Sequence, residues 1–536
     1  MNENQQELFG VTKARIDAPN LDGNSDGNPA YSRDDLVVAV IDTGIDATHV
    51  DLAGKVLAFA DFTVSPATER SPYDDQGHGT HVAATIAGSG VARDDRLEQG
   101  VAPGAALVGA KVLDGTGGGY DSWVIAGIDW VVANKAARGI EVVNLSLGSD
   151  GCSNGLDPVS QAVNRAVDAG LVVVVAAGND GDSGSCTIGS PAAAAKAITV
   201  GAMADVTRAA GATELNLAYF SSRGPTADGR FKPDLTAPGV DVTSAAMGTG
   251  TGYVAHSGTS MATPFVAGTA ALMLEANLSL TPALIKSALM QTAVDWGPPG
   301  LDYDTGAGRI NAYAAINAAG GSLGSPSPMP GHQSFVGRLT GTGQIHDIPI
   351  GVTSPDTLVA ATLVIAAWCF TCSADFDLYL YNPSGVLVSS STFETRQEDV
   401  AYRAPNPGTY TARVVSYSGS GDYYAEATTL ALTTPTVMAA PTILGTAEVG
   451  KTVTATLGSW AGSPAPSLRG AWNKCDLGGF GCNPISGAIG RTFVVPPPTV
   501  KPQNTNAAQI SGIQAVGETL AVDPGTWRTP GESQLR

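Results

Sequence analysis

The stretch Gly139–Asn179, GIEVVNLSLGSDGCSNGLDPVSQAVNRAVDAGLVVVVAAGN, holds two apolar runs separated by one amphipathic segment. GIEVVNLSLG and GLVVVVAAGN are continuous rather than alternating, as expected of strands buried on both faces. Between them DPVSQAVNRAVDAG reads as a helix, with Asp157 placed to cap it. The same texture recurs in the runs DLVVAVID, AALVGAKVL and AITVGAM, and in the amphipathic DSWVIAGIDWVVANKAA, where Asp121 is the expected cap. Strand and helix in repetition up to about residue 317 predict an α/β fold with a mainly parallel sheet.

Beyond that point the composition changes. GGSLGSPSPMPGHQ, at 320–333, is a Gly/Ser/Pro linker. After it come short alternating strands with turn dipeptides and no helical period. DFDLYLYNPSGVLVSS reads as a hairpin turning at Asn382–Gly385, and NPGTYTARVVSYSGSGDYYAEA as a second hairpin. VGKTVTATLGSW at Val449–Trp460 recurs 67 residues on as VGETLAVDPGTW at Val516–Trp527, an internal repeat. The division expected is therefore 1–317, a linker at 318–333, a β-sandwich at 334–432, a repeat at 433–500 and a second copy, cut short, at 501–536.

The 536 residues exceed what one ordinary core can organise. A formal charge of −20 argues against nucleic-acid or anionic-membrane partners, which need clustered Lys and Arg. It is compatible with calcium bound by carboxylates. Six cysteines fall into three local pairs, Cys152 with Cys186, Cys369 with Cys372 and Cys475 with Cys482. That distribution suits disulfides in an oxidising compartment, with reduced buried thiols as the alternative. The N-terminal residues contain no signal-like apolar core, so a presequence is expected to precede them. The apolar run from Leu358 to Phe370 is too short to span a bilayer as a helix and reads as a buried strand.

Three polar positions interrupt this apolar framework. Asp42 ends the run LVVAVID, where a carboxylate is costly unless something holds it; the alternative is an Asp that caps the next turn. His78 sits between glycines in GHGTHVA at the start of a small-residue stretch; His78 with His81 has metal-ligand spacing but lacks a third ligand. Ser260 lies in SGTSMATP, before the apolar FVAGTAALMLEA. It reads either as a helix-capping residue, with Pro264 in the first turn, or as a nucleophile on a helix start.

Taken together, VAVIDTGID around Asp42, GHGTHVA around His78 and SGTSMATP around Ser260 resemble the subtilisin-like serine peptidases in order and context. The resemblance covers nearly all of the first 317 residues. It implies a secreted endopeptidase with Asp42, His78 and Ser260 as the triad. VVVAAGND resembles the family's oxyanion segment, which makes Asn179 the side-chain donor. It also implies that Ser146, Leu147 and Gly148 of NLSLG, with Ala177 and Gly178, line the substrate cleft, and that Pro191 is a cis proline beside the specificity pocket. YFSSRGP and KPDLTAPG are similar to structural loops of the family. Phe265, which follows the proline where many relatives have His, is expected to pack. No propeptide-like domain is read before Asp42. The resemblance implies protein or peptide substrates, a monomer, no organic cofactor and structural calcium at unassigned positions.

The 334–432 block is similar to the β-sandwich appended to secreted bacterial peptidases, where Asp375 and Asp377 are either solvated acids or calcium ligands. The two repeats resemble Ig-like surface modules, and both blocks suggest stabilisation or attachment at the cell surface. The rival to an enzyme is a non-catalytic adhesin on an inactive peptidase scaffold.

Overall fold

The alternation of apolar runs and amphipathic segments produces the expected elements in the computed structural model. Its described residues are 3–18, 20–23, 36–93, 98–204, 216–326, 330–366, 374–440, 442–445, 451–456, 459–463, 470–474, 483–489, 492–494, 503–506, 509–512, 520–523 and 526–528. Helices α1 (Glu3–Leu8) and α2 (Val11–Asp17) precede β1 (Val37–Asp42), β2 (Val56–Asp61), β3 (Thr68–Glu69), α3 (His78–Ala87) and β4 (Ala106–Lys111). Then come α4 (Asp121–Arg138), β5 (Ile140–Leu145), α5 (Pro158–Asp168), β6 (Val172–Ala176), β7 (Ile198–Met203), β8 (Leu235–Pro238), β9 (Val242–Ala245) and β10 (Tyr253–His256). Helices α6 (Thr259–Ala276), α7 (Pro282–Thr292) and α8 (Ala312–Ile316) complete this part.

Strands β1 to β8 form one sheet in the order β3-β2-β4-β1-β5-β6-β7-β8, and β9 and β10 pair separately as an antiparallel ribbon. Every pairing in the sheet is parallel except β2 with the two-residue β3. Strands β1, β4, β6 and β7 are buried at every position, because helices cover both faces. Helices α4 and α5 close one face around Ile41, Ala110, Val143 and Val173. Helix α6 packs beneath β5–β8 on the other, with α3 beside it. It is buried continuously from Met261 to Leu274, which is why its sequence is apolar all round. Phe265 is fully buried, edge-to-face with Phe9 at 5.9 Å, so it does pack as expected.

Asp157 caps α5 as expected, accepting from Ser160 N at 2.8 Å. Asp121 does not cap α4: Tyr120 holds the cap position, and Asp121 is the first helical residue. There its charge complements the helix dipole instead of accepting a first-turn amide.

Cys152 and Cys186 are joined in a disulfide across a sequence separation of 34. The chain entropy removed from the unfolded state by a loop of that size corresponds to about 3–4 kcal/mol. Cys152→Ser/Cys186→Ser should therefore lower the urea midpoint by a corresponding amount. An unchanged midpoint would contradict a stabilising role for the bridge. The pairs Cys369 with Cys372 and Cys475 with Cys482 lie outside the described residues.

A β-sandwich follows. Strands β11 (Gly331–Leu339), β12 (Ile345–Val352), β13 (Thr357–Ile365), β14 (Asp375–Tyr381), β15 (Leu387–Ser391), β16 (Gln397–Ala404), β17 (Gly408–Ser418) and β18 (Gly421–Ala431) form two sheets. Their orders are β11-β18-β13-β16 and β12-β17-β14-β15, around a shared core that includes Leu363, Phe376, Leu378 and Val414. The hairpin at Asn382–Gly385 forms, with Asn382 N donating to Val386 O. The second expected hairpin does not. β17 pairs with β12 and β14, whereas β18 pairs with β11 in the opposite sheet. The turn after Ser418 is a corner between sheets, which alternation alone cannot distinguish from a hairpin.

Burial explains the Leu358 run. β17 alternates between buried and half-buried positions, while β13 is buried throughout and β18 over six successive residues. The β13–β18 sheet is covered on one face by the sandwich core and carries contacts to the α/β part on the other: Tyr424 Oη donates to Asp304 at 2.8 Å and Gln397 Nε2 to Leu217 O at 2.8 Å. Residues 1–92 and 96–430 accordingly form one compact unit.

The remaining chain is a separate unit of short strands. Thr452–Thr456 and Ser459–Ser463 lie in the first repeat copy, and Leu520–Asp523 and Thr526–Arg528 in the second.

Candidate active site

The carboxyl ends of the parallel strands are where an open α/β sheet presents its site. Asp42 is the last residue of β1, Ser146 follows β5, Gly178 and Asn179 follow β6 by one and two residues after Ala177, and His78 begins α3. Chain positions from 42 to 260 thus converge on one cleft of about 520 Å³. Its lining includes His78, Ser146, Leu147, Gly148, Asn179 and Ser260.

His78 Nδ1 bonds Asp42 Oδ1 at 2.7 Å, and the same carboxylate oxygen accepts from Thr43 N at 2.7 Å. Asp42 is only 1% exposed, so its charge is held away from water and aimed at the imidazole. Burial disfavours the imidazolium, but the Asp42 charge, its hydrogen bond and the Asp74 charge outweigh it, and the His78 pKa is raised.

The sequence reading missed Asp74. Its Oδ1 accepts from Thr43 Oγ1 at 3.0 Å and from Gly77 N at 2.9 Å. Its Oδ2 accepts from Thr80 N at 3.0 Å and Thr80 Oγ1 at 2.6 Å. It therefore ties β1, the turn and the first turn of α3 together around His78. Although burial raises its pKa, these hydrogen bonds prevail and lower it. The signal was present as Asp74-Asp75-Gln76-Gly77, a turn-forming arrangement. Lys111, at the end of β4, was also missed; its Nζ donates to Thr43 O at 2.6 Å and Leu113 O at 2.7 Å.

The metal alternative for His81 fails on geometry. The ring is fully buried and its Nε2 bonds Val242 O at 2.8 Å. Burial, then the neighbouring His256, pushes its pKa down to about 3, so the ring is neutral and structural.

Ser260 is the second residue of α6, and Gly258 at the cap position supplies no side-chain cap. Pro264 is thus the sixth helical residue rather than part of the first turn. It sits four residues after Ser260 and has no N–H to give the Ser260 carbonyl. That carbonyl accepts from Ser146 Oγ at 2.8 Å, which in turn accepts from the buried Asn144 Nδ2 at 2.9 Å. The proline leaves an acceptor open, and β5 fills it. The Ser260 hydroxyl itself donates to Ser146 O at 3.1 Å in this resting geometry.

Asn179 Oδ1 accepts from Thr259 N at 2.9 Å and from Thr259 Oγ1 at 3.1 Å. With its oxygen committed, the amide turns its Nδ2 donor the other way. A Cβ placed on Gly258 would lie 3.5 Å from that Nδ2 and 3.7 Å from Ser260 N, so both donors border the space next to Gly258.

Gly178 lines the cleft, but Ala177 does not. Its side chain is buried in the core on the α4 and α5 side of the sheet, and Ala176 borders the cleft instead, since neighbouring residues of an extended chain face opposite sides. The Ser190–Pro191 peptide is cis, and both residues line the cleft. A second hollow of about 320 Å³ shares His78, Asn179 and Ser260 and adds His256, Ser257 and Met261, none singled out by the sequence reading.

The sequence matches the profile of the Subtilase family over residues 33–308. The Serine protease AprX of Bacillus subtilis (strain 168) is 42% identical over 302 residues, 52% of this chain and 66% of that protein. Subtilisin of Bacillus pumilus is 42% identical over 313 residues, 58% of this chain and 99% of that protein. The solved structure of Sphericase aligns with a TM-score of 0.46 at 34% identity, covering 56% of this chain and 96% of that one. With a family profile spanning more than half of its residues, the chain belongs to the subtilase family and is a serine endopeptidase of the subtilisin type.

Proposed function

We propose that this endopeptidase works through Ser260 as nucleophile, His78 as general base and acid, Asp42 as the group that orients His78, and Asn179 with the Ser260 amide as oxyanion donors. The observation that carries the assignment is the 2.7 Å His78–Asp42 bond in a cleft shared with Ser260 and Asn179. Ser260 Oγ attacks the peptide carbonyl carbon while its proton passes to His78 Nε2. The carbonyl oxygen takes the negative charge and is met by Asn179 Nδ2 and Ser260 N. Collapse breaks the C–N bond, and the proton on His78 goes to the departing amine. Water, deprotonated by the same imidazole, then attacks the ester and releases the acid and Ser260.

Ser146, Leu147 and Gly148 form the wall along which an extended substrate lies, adding main-chain hydrogen bonds as a strand at a sheet edge does. A serine-directed fluorophosphonate tests the assignment. The folded parent should be labelled, and Ser260→Ala should not. An unlabelled parent overturns the reading.

Asn179→Leu should lower kcat by roughly 10²–10³ with KM little changed, because the amide donates only to charge that develops in the transition state. Steady-state kinetics on a peptide p-nitroanilide reads this directly. A change confined to KM would remove Asn179 from the oxyanion role.

The enzyme is assigned to the extracellular space, acting on protein or peptide substrates; the Cys152–Cys186 disulfide supports that compartment. No helix among the described residues is long and apolar enough to cross a membrane. The units 1–317, 334–432 and 433–536 serve as peptidase, stabilising sandwich and Ig-like attachment repeats. Asp377 is buried and accepts from Tyr379 Oη at 2.9 Å, and among the described residues no three His, Cys, Asp or Glu side chains group to hold a metal. Asp375 and Asp377 are read as structural acids of β14.

A further inference from the structure

The loop YFSSRGP reads as a structural loop in the sequence, yet its contacts run in two directions. Toward the cleft, Ser222 brackets Asn179: Ser222 N donates to Gly178 O at 2.9 Å, and Ser222 Oγ accepts from Asp180 N at 3.1 Å. Arg223 continues the pairing, with Arg223 N donating to Thr187 Oγ1 at 2.8 Å and Thr187 N to Arg223 O at 2.9 Å. Residues 221–224 have no helix or strand of their own, and these bonds, with Gly181 N to Phe220 O at 2.8 Å and Cys186 N to Gly224 O at 3.0 Å, register the loop against residues 178–187.

Away from the cleft, the Arg223 side chain enters the contact with the sandwich and is 1% exposed. Its Nη2 donates to Gln397 Oε1 at 3.1 Å, and its Nη1 lies 3.7 Å from Asp304. Asp304 also accepts from Tyr424 Oη at 2.8 Å and pairs with Arg396 at 3.5 Å. Gln397 Nε2 reaches Leu217 O at 2.8 Å, just before the same loop. A buried guanidinium persists only where its partners are fixed, and here three of the side chains that complete its surroundings come from β16, β18 and the residue before β16.

We propose that the β-sandwich is a positioning element of the catalytic machinery: through Gln397, Arg223 and Ser222 it fixes the Gly178–Asp180 segment that carries Asn179. The inference rests on Asn179 being an oxyanion donor. Oxyanion donors act only at short range and fixed angle, so a loop allowed to follow a released Arg223 misplaces Nδ2 without dismantling the triad. Gln397 and Arg223 are positioning residues and touch no substrate.

The test uses the full chain. Gln397→Leu removes both the acceptor of Arg223 and the donor to Leu217. It should lower kcat roughly tenfold with KM within about twofold. Active-site concentration is fixed by fluorophosphonate titration, so loss of folded enzyme is not counted as loss of rate. Tyr424→Phe, which removes one hydroxyl, should shift kcat in the same direction by less, and serves if Gln397→Leu does not fold. Arg413→Ala, which breaks an exposed ion pair with Asp347 in the other sheet, should leave kcat unchanged. In the Asn179→Leu background, Gln397→Leu should cost nothing further, since the donor it positions is already gone. An unchanged kcat in the folded variants, or an equal loss in the Asn179→Leu background, overturns the proposal. Failure of Asn179→Leu itself to lower kcat points instead to the site assignment.

Discussion

Ser260→Ala should lower kcat by about 10⁶ while the protein stays folded and still binds substrate. That is the scale of loss when the nucleophile of subtilisin itself is removed. The hydroxyl is the only part removed, and what it contacts is Ser146 O at 3.1 Å, a carbonyl that water can satisfy in the variant. The Ser260 carbonyl remains held by Ser146 Oγ, and the amide remains beside Asn179. The scaffold around the missing oxygen is therefore unchanged, and residual cleavage reflects binding and oxyanion stabilisation alone. Thermal unfolding within a degree or two of the parent, together with turnover near background, is the expected pair of results. Cleavage of casein at the parental rate would sink the assignment of Ser260.

The predictable part of this site was the part written in contiguous runs. Continuous apolar segments gave the parallel sheet, because burial on both faces leaves no room for alternation. The residues one or two places beyond those runs were then already at the strand tips. Three features stayed hidden because each depends on a partner far away in the chain. Pro264 looked like a first-turn residue, and its actual effect, freeing the Ser260 carbonyl for Ser146, appears only when β5 lies beside α6. Asp74 drew no notice in the sequence, because its role depends on Thr43 and Thr80 being placed around it. Arg223 was read only as part of a structural loop. Its burial requires a sandwich more than 170 residues downstream in sequence, as its bond to Gln397 shows. The second hairpin failed for a simpler reason: alternation shows two strands in succession but not whether they pair with each other.

Asp42→Asn should lower kcat by about 10⁴ and move the acid limb of the pH–rate profile to lower pH. An amide accepts through Oδ1 but also offers an N–H toward Nδ1, which favours the wrong tautomer of His78. It also removes the charge that stabilises the imidazolium formed as Ser260 is deprotonated. The pH shift has a definite sign. In the parent, burial pulls the His78 pKa down, and the Asp42 charge and hydrogen bond with the Asp74 charge more than offset it, so the net pKa is raised. Without the carboxylate, burial is opposed mainly by Asp74, and the pKa falls. Only neutral His78 can act as base, so the parent should lose activity as pH drops through a value above the ordinary histidine pKa of about 6.5.

Stability runs the opposite way. A pKa raised by folding means that the His78–Asp42 pair contributes stability fully below the unfolded pKa and loses it as pH rises through the folded pKa. The pair therefore stabilises the fold most where the enzyme is inactive, and it becomes catalytically useful as that stabilisation fades. Asp42→Asn should accordingly lower the thermal midpoint more at pH 5 than at pH 9, while its rate deficit persists at pH 9. A rate loss under tenfold, or an acid limb that does not move, would show that Asp42 does not govern His78.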